Sequence, residues 1–85
     1  MKEVIVGRIG AYFSHPEAAA IELEENLKVG DTVHIKGHTT DFEQEVESMQ
    51  IGNDPVQEAK KGDSIGVKVK ERVRRNDVVY KLVEE

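Results

Sequence analysis

Cations at alternate positions are the part of this sequence best suited to binding a charged partner. Residues 60–75 carry seven cations and two anions, although the 85-residue chain has a net charge of −5. In an extended strand, alternate side chains repeat every ~6.7 Å along one face, which is similar to the phosphate spacing of an extended nucleic-acid strand. We therefore predict a nucleic-acid-binding face formed by Lys68, Lys70, Arg72, Arg74 and the adjacent Arg75.

A solvated strand face is the alternative interpretation of these cations. Glu43, Glu45 and Glu47 also alternate, and they could pair with the cations if the two strands are neighbours. Only 5% of the residues are aromatic, whereas proteins that bind single strands normally stack bases on aromatic side chains. Any contact with RNA would therefore be made to its backbone, and the net acidity argues against indiscriminate binding.

The histidines offer little further chemistry. His34 and His38 are four residues apart, which in a strand is about 13 Å and too far for two ligands of one metal ion. Ser14 and His15 are adjacent, and neighbouring residues in an extended segment rarely face each other, so a nucleophile and its base are not indicated. We expect no catalytic residue, no metal site and no cofactor.

A phrase that occurs three times predicts how these residues are positioned. Each copy has a cation, a spacer, Gly or Asn, then Asp, and a β-branched residue two positions later. Gly and Asn tolerate a positive φ, Asp bonds to nearby backbone, and Val or Ile favours a strand. The phrase therefore encodes a turn followed by a strand. The copies are Lys28-Val29-Gly30-Asp31, Lys60-Lys61-Gly62-Asp63 and Arg74-Arg75-Asn76-Asp77.

Periodicity and turn residues together predict an all-β domain. Six strands are expected, and a small closed barrel would leave few free edges. Gly7 and Gly10 indicate a bulge or a close backbone approach in the first strand. A change of face between Val46 and Met49 indicates a second bulge. The predicted strands cover residues 4–13, 17–25, 32–36, 42–51, 64–73 and 78–83, and residues 56–61 form a connector that could contain one helical turn.

Residues 17–25 are ambiguous. In a strand, Ala19, Ile21 and Leu23 would face the core, whereas in a helix Ala20, Leu23 and Leu27 would form one apolar stripe. Local propensity favours the helix, but the strand-rich surroundings favour the strand. We predict the strand.

Length and composition suit one small domain that spans residues 1–85. The chain has no cysteine, so it cannot use disulfides, and we expect a cytoplasmic location. No stretch approaches the ~20 apolar residues of a membrane span, and Val4-Ile5-Val6 is too short for the apolar part of a signal peptide.

Four stretches occur in the order and spacing of a known family: LKVGDTVHI (27–35), VESM (46–49), AKKGDSIGV (59–67) and NDVVYK (76–81). The chain resembles the second domain of translational GTPases such as elongation factor Tu and initiation factor 2. The resemblance implies a six-stranded β-barrel that contacts transfer RNA or the ribosome. It also implies that Glu47, in the Val46-Glu47 motif, lies against the terminal adenosine of transfer RNA. No phosphate-binding loop is present, so no nucleotide is expected.

Two function classes follow. The first is a non-enzymatic, translation-factor-like module that contacts transfer or ribosomal RNA, or a ribonucleoprotein, through the basic strand. The alternative is an accessory module that docks a protein partner, similar to the barrel found on collagenase-like peptidases. A small hydrolase is a remote third possibility.

Overall fold

The three repeated phrases fold into the same turn. A computed structural model describes residues 2–15 and 17–84. In each copy the backbone N–H of the first residue donates to Oδ2 of the Asp three positions later, and the third residue has a positive φ, as in a type II turn. The donor–acceptor distances are 3.0, 3.0 and 2.9 Å for Lys28–Asp31, Lys60–Asp63 and Arg74–Asp77, and φ is 100°, 94° and 76° at Gly30, Gly62 and Asn76. The predicted turn is confirmed at all three places.

The fold is all-β, as predicted, and the described residues contain no helix. The connector over 56–61 contains no helical turn, because Val56 ends one short strand and Glu58–Ala59 form another. No described segment is a helix long and apolar enough to cross a bilayer, and the cytoplasmic location stays a prediction. The ten strands are β1 (Lys2–Phe13), β2 (Ala18–Leu23), β3 (Leu27–Lys28), β4 (Thr32–Lys36), β5 (Asp41–Glu45), β6 (Met49–Ile51), β7 (Asp54–Val56), β8 (Glu58–Ala59), β9 (Ser64–Lys68) and β10 (Val78–Val83).

Eight of these strands form one antiparallel sheet in the order β5-β4-β10-β1-β2-β9-β6-β7, and β3 pairs with β8. The order has two ends, so the predicted six-stranded closed barrel is wrong. The expected long strand over 42–51 is divided into β5 and β6, which belong to different parts of the sheet. The division occurs at Val46, whose backbone N–H donates to Asp31 O at 2.8 Å and whose carbonyl accepts from Gly30 N at 2.9 Å. The first repeated turn thereby diverts the chain out of β5.

The core consists of the apolar residues that alternate along the strands. Residues 18–23 form a strand, which confirms that interpretation over the helix, and Ala19, Ile21 and Leu23 are buried as predicted. Ile51 is 36% exposed at the end of β6. The other large buried side chains include Val6, Ile9, Leu27, Val33, Ile35, Phe42, Val46, Met49, Ile65, Val67, Val73 and Val79.

The glycines of β1 mark irregularities in its pairing, as predicted. The register of β1 shifts between Ile5 and Gly7 against β10, and between Ile9 and Ala11 against β2. A Cβ at position 7 would lie 2.5 Å from the carbonyl oxygen of Glu22. Only glycine therefore allows β2 to approach β1 this closely.

The strand predicted over 64–73 ends early. β9 stops at Lys68, and the backbone N–H of Val69 donates to Glu17 O at 3.0 Å. Val69 and Val73 are still buried, so this irregular stretch covers the core without forming a ladder. We refer to residues 68–75 as the basic segment.

The third repeated turn packs against the hairpin between β4 and β5. Asp77 is 5% exposed, and a Cβ at Gly37 would overlap its Oδ1 atom. Oδ2 of the same carboxylate is held by Arg74 N. Gly37 therefore lets the hairpin contact a carboxylate that cannot easily move away.

Candidate functional site

The structure places the predicted cations together, but not as a regular strand face. Lys68 is the last residue of β9, and the other four lie in the irregular part of the basic segment. All five side chains are exposed. None of the ion pairs formed by residues 2–15 and 17–84 involves the basic segment. The basic segment is therefore a locally positive, solvent-exposed stretch on a chain whose net charge is negative.

Three hydrogen bonds fix the basic segment to the hairpin of β4 and β5. The Gln44 side chain donates through Nε2 to Lys68 O at 2.8 Å and accepts at Oε1 from Lys70 N at 2.9 Å. Nearer the other end, Arg74 Nε donates to Thr39 Oγ1 at 2.8 Å. In addition, Lys70 Nζ lies 6.0 Å from the centre of the Phe42 ring. The backbone that carries the cations is therefore fixed in position by side chains of the hairpin.

Glu45 and Glu47 lie across a shallow hollow from the basic segment. The hollow is lined by Gln44, Glu45, Glu47, Lys68, Val69 and Lys70. The acidic and basic residues are near each other, but β5 and β9 are not neighbouring strands, and the direct link is the Gln44 amide rather than an ion pair. Glu47 is exposed in the break between β5 and β6, and its predicted role in nucleic-acid binding stays a prediction.

A second polar cluster lies on the outer face of β4. His34 stands between the buried residues Val33 and Ile35, so its ring points away from the core. It pairs with Tyr80 of β10 and with Glu43 of β5. Its Nδ1 lies 2.5 Å from Glu3 Oε2, and its Nε2 lies 2.5 Å from Asp41 Oδ1. We call Glu3, His34, Asp41 and Glu43 the His34 cluster.

The two flanking carboxylates stabilise the imidazolium form of His34. The hydrogen bond to Asp41, followed by that to Glu3, raises the pKa of His34 above 6.5, against an opposing effect of burial. The His34 hydrogen bond in turn lowers the pKa of Asp41. The His34 side chain is only 13% exposed, compared with 68% for Asp41. The imidazole is therefore the fixed member of the cluster.

Glu43 brings a third carboxylate to the imidazole. One ligating atom each from Glu3, His34 and Glu43 lies within 4.8 Å of the other two. The three residues come from β1, β4 and β5, so the sheet assembles them from distant parts of the chain. His38, the histidine that sequence spacing places nearest to His34, lies exposed in the loop after β4 and outside this group.

A sequence signal for part of this cluster did exist. Residues 37–40 connect the predicted strands, and a hairpin that pairs Lys36 with Asp41 also pairs His34 with Glu43. Glu3 could not be placed in this way, because β1 reaches β4 only through β10.

The Ser14-His15 pair lies in an exposed turn after β1. No hydrogen bond among the side chains in the described part of the chain joins a histidine to a hydroxyl group. The sequence-based view that these two residues do not form a catalytic pair stays a prediction.

The chain is similar to parts of proteases. It is 43% identical over 84 residues to an uncharacterized protease of Methanocaldococcus jannaschii, and the match covers 98% of this chain and 21% of that protein. It is 37% identical over 83 residues to two collagenases of Porphyromonas gingivalis, covering 95% of this chain and 20% and 23% of theirs. The chain thus spans about a fifth of the length of the curated relatives that it matches.

Solved structures share the fold. The C-terminal domain of a Geobacillus thermoleovorans protein described as a U32 peptidase superposes with a TM-score of 0.87 at 18% identity, covering 93% of this chain and 92% of that domain. Its selenomethionine variant gives a TM-score of 0.85 over 89% of this chain and 96% of the variant, also at 18% identity. No protein-family model matches the chain.

These findings correct the resemblance to translational GTPases. The similar proteins are a protease and two collagenases, and the similar fold is that of a peptidase C-terminal domain. The elongation-factor assignment is therefore wrong. Three of the four stretches that suggested it contain the Gly-Asp or Asn-Asp pair of the repeated turn, and that pair is favoured wherever such a turn leads into a strand, in any family.

Proposed function

We propose that this chain is a non-catalytic accessory domain that acts together with the catalytic part of a U32-type or collagenase-like peptidase. The observation that carries the proposal is the extent of the match: nearly all of this chain aligns with about a fifth of each protease relative. In such an arrangement the domain contacts the catalytic part or the polypeptide that it cleaves.

The distribution of polar groups supports a binding role rather than a hydrolytic one. Of the three histidines, His34 is held between two carboxylates, while His15 and His38 are exposed in turns. A nucleophile requires a base within hydrogen-bond reach, and both ring nitrogens of His34 are hydrogen-bonded to carboxylates. The surfaces that stand out are the charged ones.

The proposal is tested by exchanging domains. In one of the Porphyromonas gingivalis collagenases, the matched 83-residue stretch is replaced by this chain, and cleavage of denatured collagen is measured. The unmodified collagenase, a variant lacking the stretch, and a variant carrying an unrelated β-domain of similar size serve as comparisons. We expect the exchanged protein to retain more activity than the last two, and this chain alone to cleave nothing.

Two outcomes would contradict the proposal. One is cleavage by the isolated chain that survives purification to homogeneity. The other is an exchanged protein that is folded but no more active than the variant with the unrelated β-domain.

We propose RNA-backbone binding by the basic segment as a second candidate function. The observation that favours it is the set of five exposed cations outside the ion pairs of the described residues, held in place by Gln44 and Thr39. This candidate rests on charge alone and does not involve a translation factor.

A further inference from the structure

The His34 cluster offers more negative charge than its imidazole can offset. Three carboxylates surround one ring, and a protonated imidazole carries a single positive charge. Lys36 lies opposite Asp41 in the hairpin register and acts electrostatically on that carboxylate. Glu3 and Glu43 share the remaining charge of the ring: Glu43 lies on the neighbouring strand β5, and Glu3 reaches the ring from β1, on the far side of β10.

The geometry of the same three groups suits a metal ion. Metal–nitrogen and metal–oxygen bonds of about 2.0–2.2 Å place the ligands of one ion no more than roughly 4.4 Å apart. The ligating atoms of Glu3, His34 and Glu43 already lie within 4.8 Å of one another. Because Glu3 and Glu43 are both exposed, small side-chain rotations can bring both onto an ion fixed by the largely buried imidazole.

Asp41 supplies the outer contact that metal-binding histidines usually have. A ligating imidazole typically donates its second N–H to a carboxylate, which fixes the ring orientation and increases its basicity. Nδ1 of His34 is on the Glu3 side, while Nε2 is bound to Asp41. A metal at Nδ1 would leave the Nε2–H to Asp41 contact intact.

We propose that Glu3, His34 and Glu43 bind a divalent transition-metal ion of the zinc type, with Asp41 as the residue that orients the imidazole. One nitrogen and two carboxylate ligands suit Zn²⁺, Co²⁺ or Mn²⁺, whereas Mg²⁺ and Ca²⁺ prefer oxygen ligands alone. Three protein ligands leave a coordination position for water or for a group of a second molecule. This site does not depend on the proposed peptidase role.

The test is calorimetric titration of the full chain with Zn²⁺, at a pH where His34 is deprotonated, because protons compete with the metal. We expect saturable binding of one ion, and no comparable binding of Mg²⁺. His34→Gln should abolish the binding. Asp41→Asn should weaken it by about 10–100-fold, the usual effect of losing an outer contact.

Glu43→Gln and Glu45→Gln form the matched pair. Both residues are exposed on β5 and both changes remove one charge, but only Glu43 belongs to the cluster. Glu43→Gln should weaken Zn²⁺ binding at least tenfold, whereas Glu45→Gln and the loop variant His38→Gln should leave it unchanged. Circular dichroism verifies that each variant is folded. If His34→Gln does not fold, Glu43→Gln still decides the test.

The proposal is overturned if the wild-type chain shows no saturable Zn²⁺ binding at millimolar concentration. It is equally overturned if binding persists in both His34→Gln and Glu43→Gln, because the ion would then be bound elsewhere. Equal weakening by Glu43→Gln and Glu45→Gln would indicate a diffuse charge effect instead of a site.

Discussion

The side-chain amide of Gln44 makes with the backbone around Lys70 the two hydrogen bonds that a neighbouring strand would otherwise make. Its Oε1 atom accepts the Lys70 backbone N–H at 2.9 Å, while its Nε2 donates to the carbonyl of Lys68 at 2.8 Å. A single amide therefore joins edge strand β5 to the basic segment. The described strands do not close the sheet by backbone pairing here, and β5 is connected to the basic segment through this amide and through the contact of Lys70 with the Phe42 ring.

Replacing Gln44 should loosen this connection. We expect Gln44→Ala to lower the free energy of unfolding by about 1–2 kcal/mol, because two backbone groups lose a partner in a partly exposed setting. Urea unfolding measures the change. Gln50→Ala, at an exposed position of β6, is the control and should stay within about 0.5 kcal/mol of wild type; equal losses in both variants would contradict the role assigned to Gln44.

Gly37 should be intolerant of a side chain. In Gly37→Ala the new Cβ would overlap Asp77 Oδ1, and Asp77 is buried and held by Arg74 N. We expect a loss of about 1–3 kcal/mol in the free energy of unfolding, as for other overpacked sites.

Gly66→Ala is the matched control for Gly37→Ala. A Cβ at Gly66 meets nothing within 4 Å and its φ is not positive, and alanine suits a strand better than glycine. We expect this variant to be as stable as wild type or slightly more stable. Thermal unfolding of the two variants side by side should separate them; similar losses would show that the contact with Asp77 is not the cause.

The stability of the fold should depend on pH through His34. Because folding raises the pKa of His34 above 6.5, its stabilising contribution is complete below about pH 6.5 and is lost as the pH rises through the raised folded-state pKa. Unfolding curves recorded with EDTA from pH 6 upward should show this loss in wild type but not in His34→Gln. An identical pH dependence in both proteins would contradict the assignment.

Asp41 should make the stability of the fold depend on pH in the acidic range, whereas His34 does so above about pH 6.5. Its pKa is lowered from 3.8 by the His34 hydrogen bond, so its contribution is present above pH 3.8 and is lost as the pH falls through the lowered folded-state value. Asp41→Asn should therefore be less sensitive than wild type to acid in this range, as measured by the unfolding midpoint at low pH.

The basic segment should bind RNA in a salt-dependent way if it contacts phosphates. Four phosphate contacts predict a slope of about −3 in a plot of log affinity against log salt, at about −0.7 per phosphate of a single strand. Lys70→Glu with Arg72→Glu should abolish filter binding of transfer RNA at low salt. Lys60→Glu with Lys61→Glu makes the same charge change at exposed residues outside the segment and should reduce binding much less. No binding by wild type at low salt would exclude this function.

The local signals in the sequence were sufficient for the turns and for most of the core. The Gly-Asp and Asn-Asp phrases each predicted a positive φ followed by a strand, because those features are decided within four residues. Alternation correctly assigned Ala19, Ile21 and Leu23 to the interior, where strand-rich surroundings outweighed helix propensity. Sequence information limited to neighbouring residues was enough in both cases.

The long-range pairing could not be obtained in the same way. Nothing near Val46 shows that its backbone bonds to Gly30 and Asp31, so the division of β5 from β6 was missed and a closed barrel was expected. The contact of Glu3 with His34 likewise depends on β10 lying between β1 and β4. Only the part of the His34 cluster within the β4–β5 hairpin, His34 with Asp41 and Glu43, could be predicted from sequence spacing.

The second free edge of the sheet is β7, which is three residues long and contains Pro55 next to Asp54. Proline has no N–H to offer an incoming strand, and a carboxylate discourages one from packing there. A strand from a second copy of this chain therefore finds a poor template along β7, and this end of the open sheet is protected against edge-to-edge pairing.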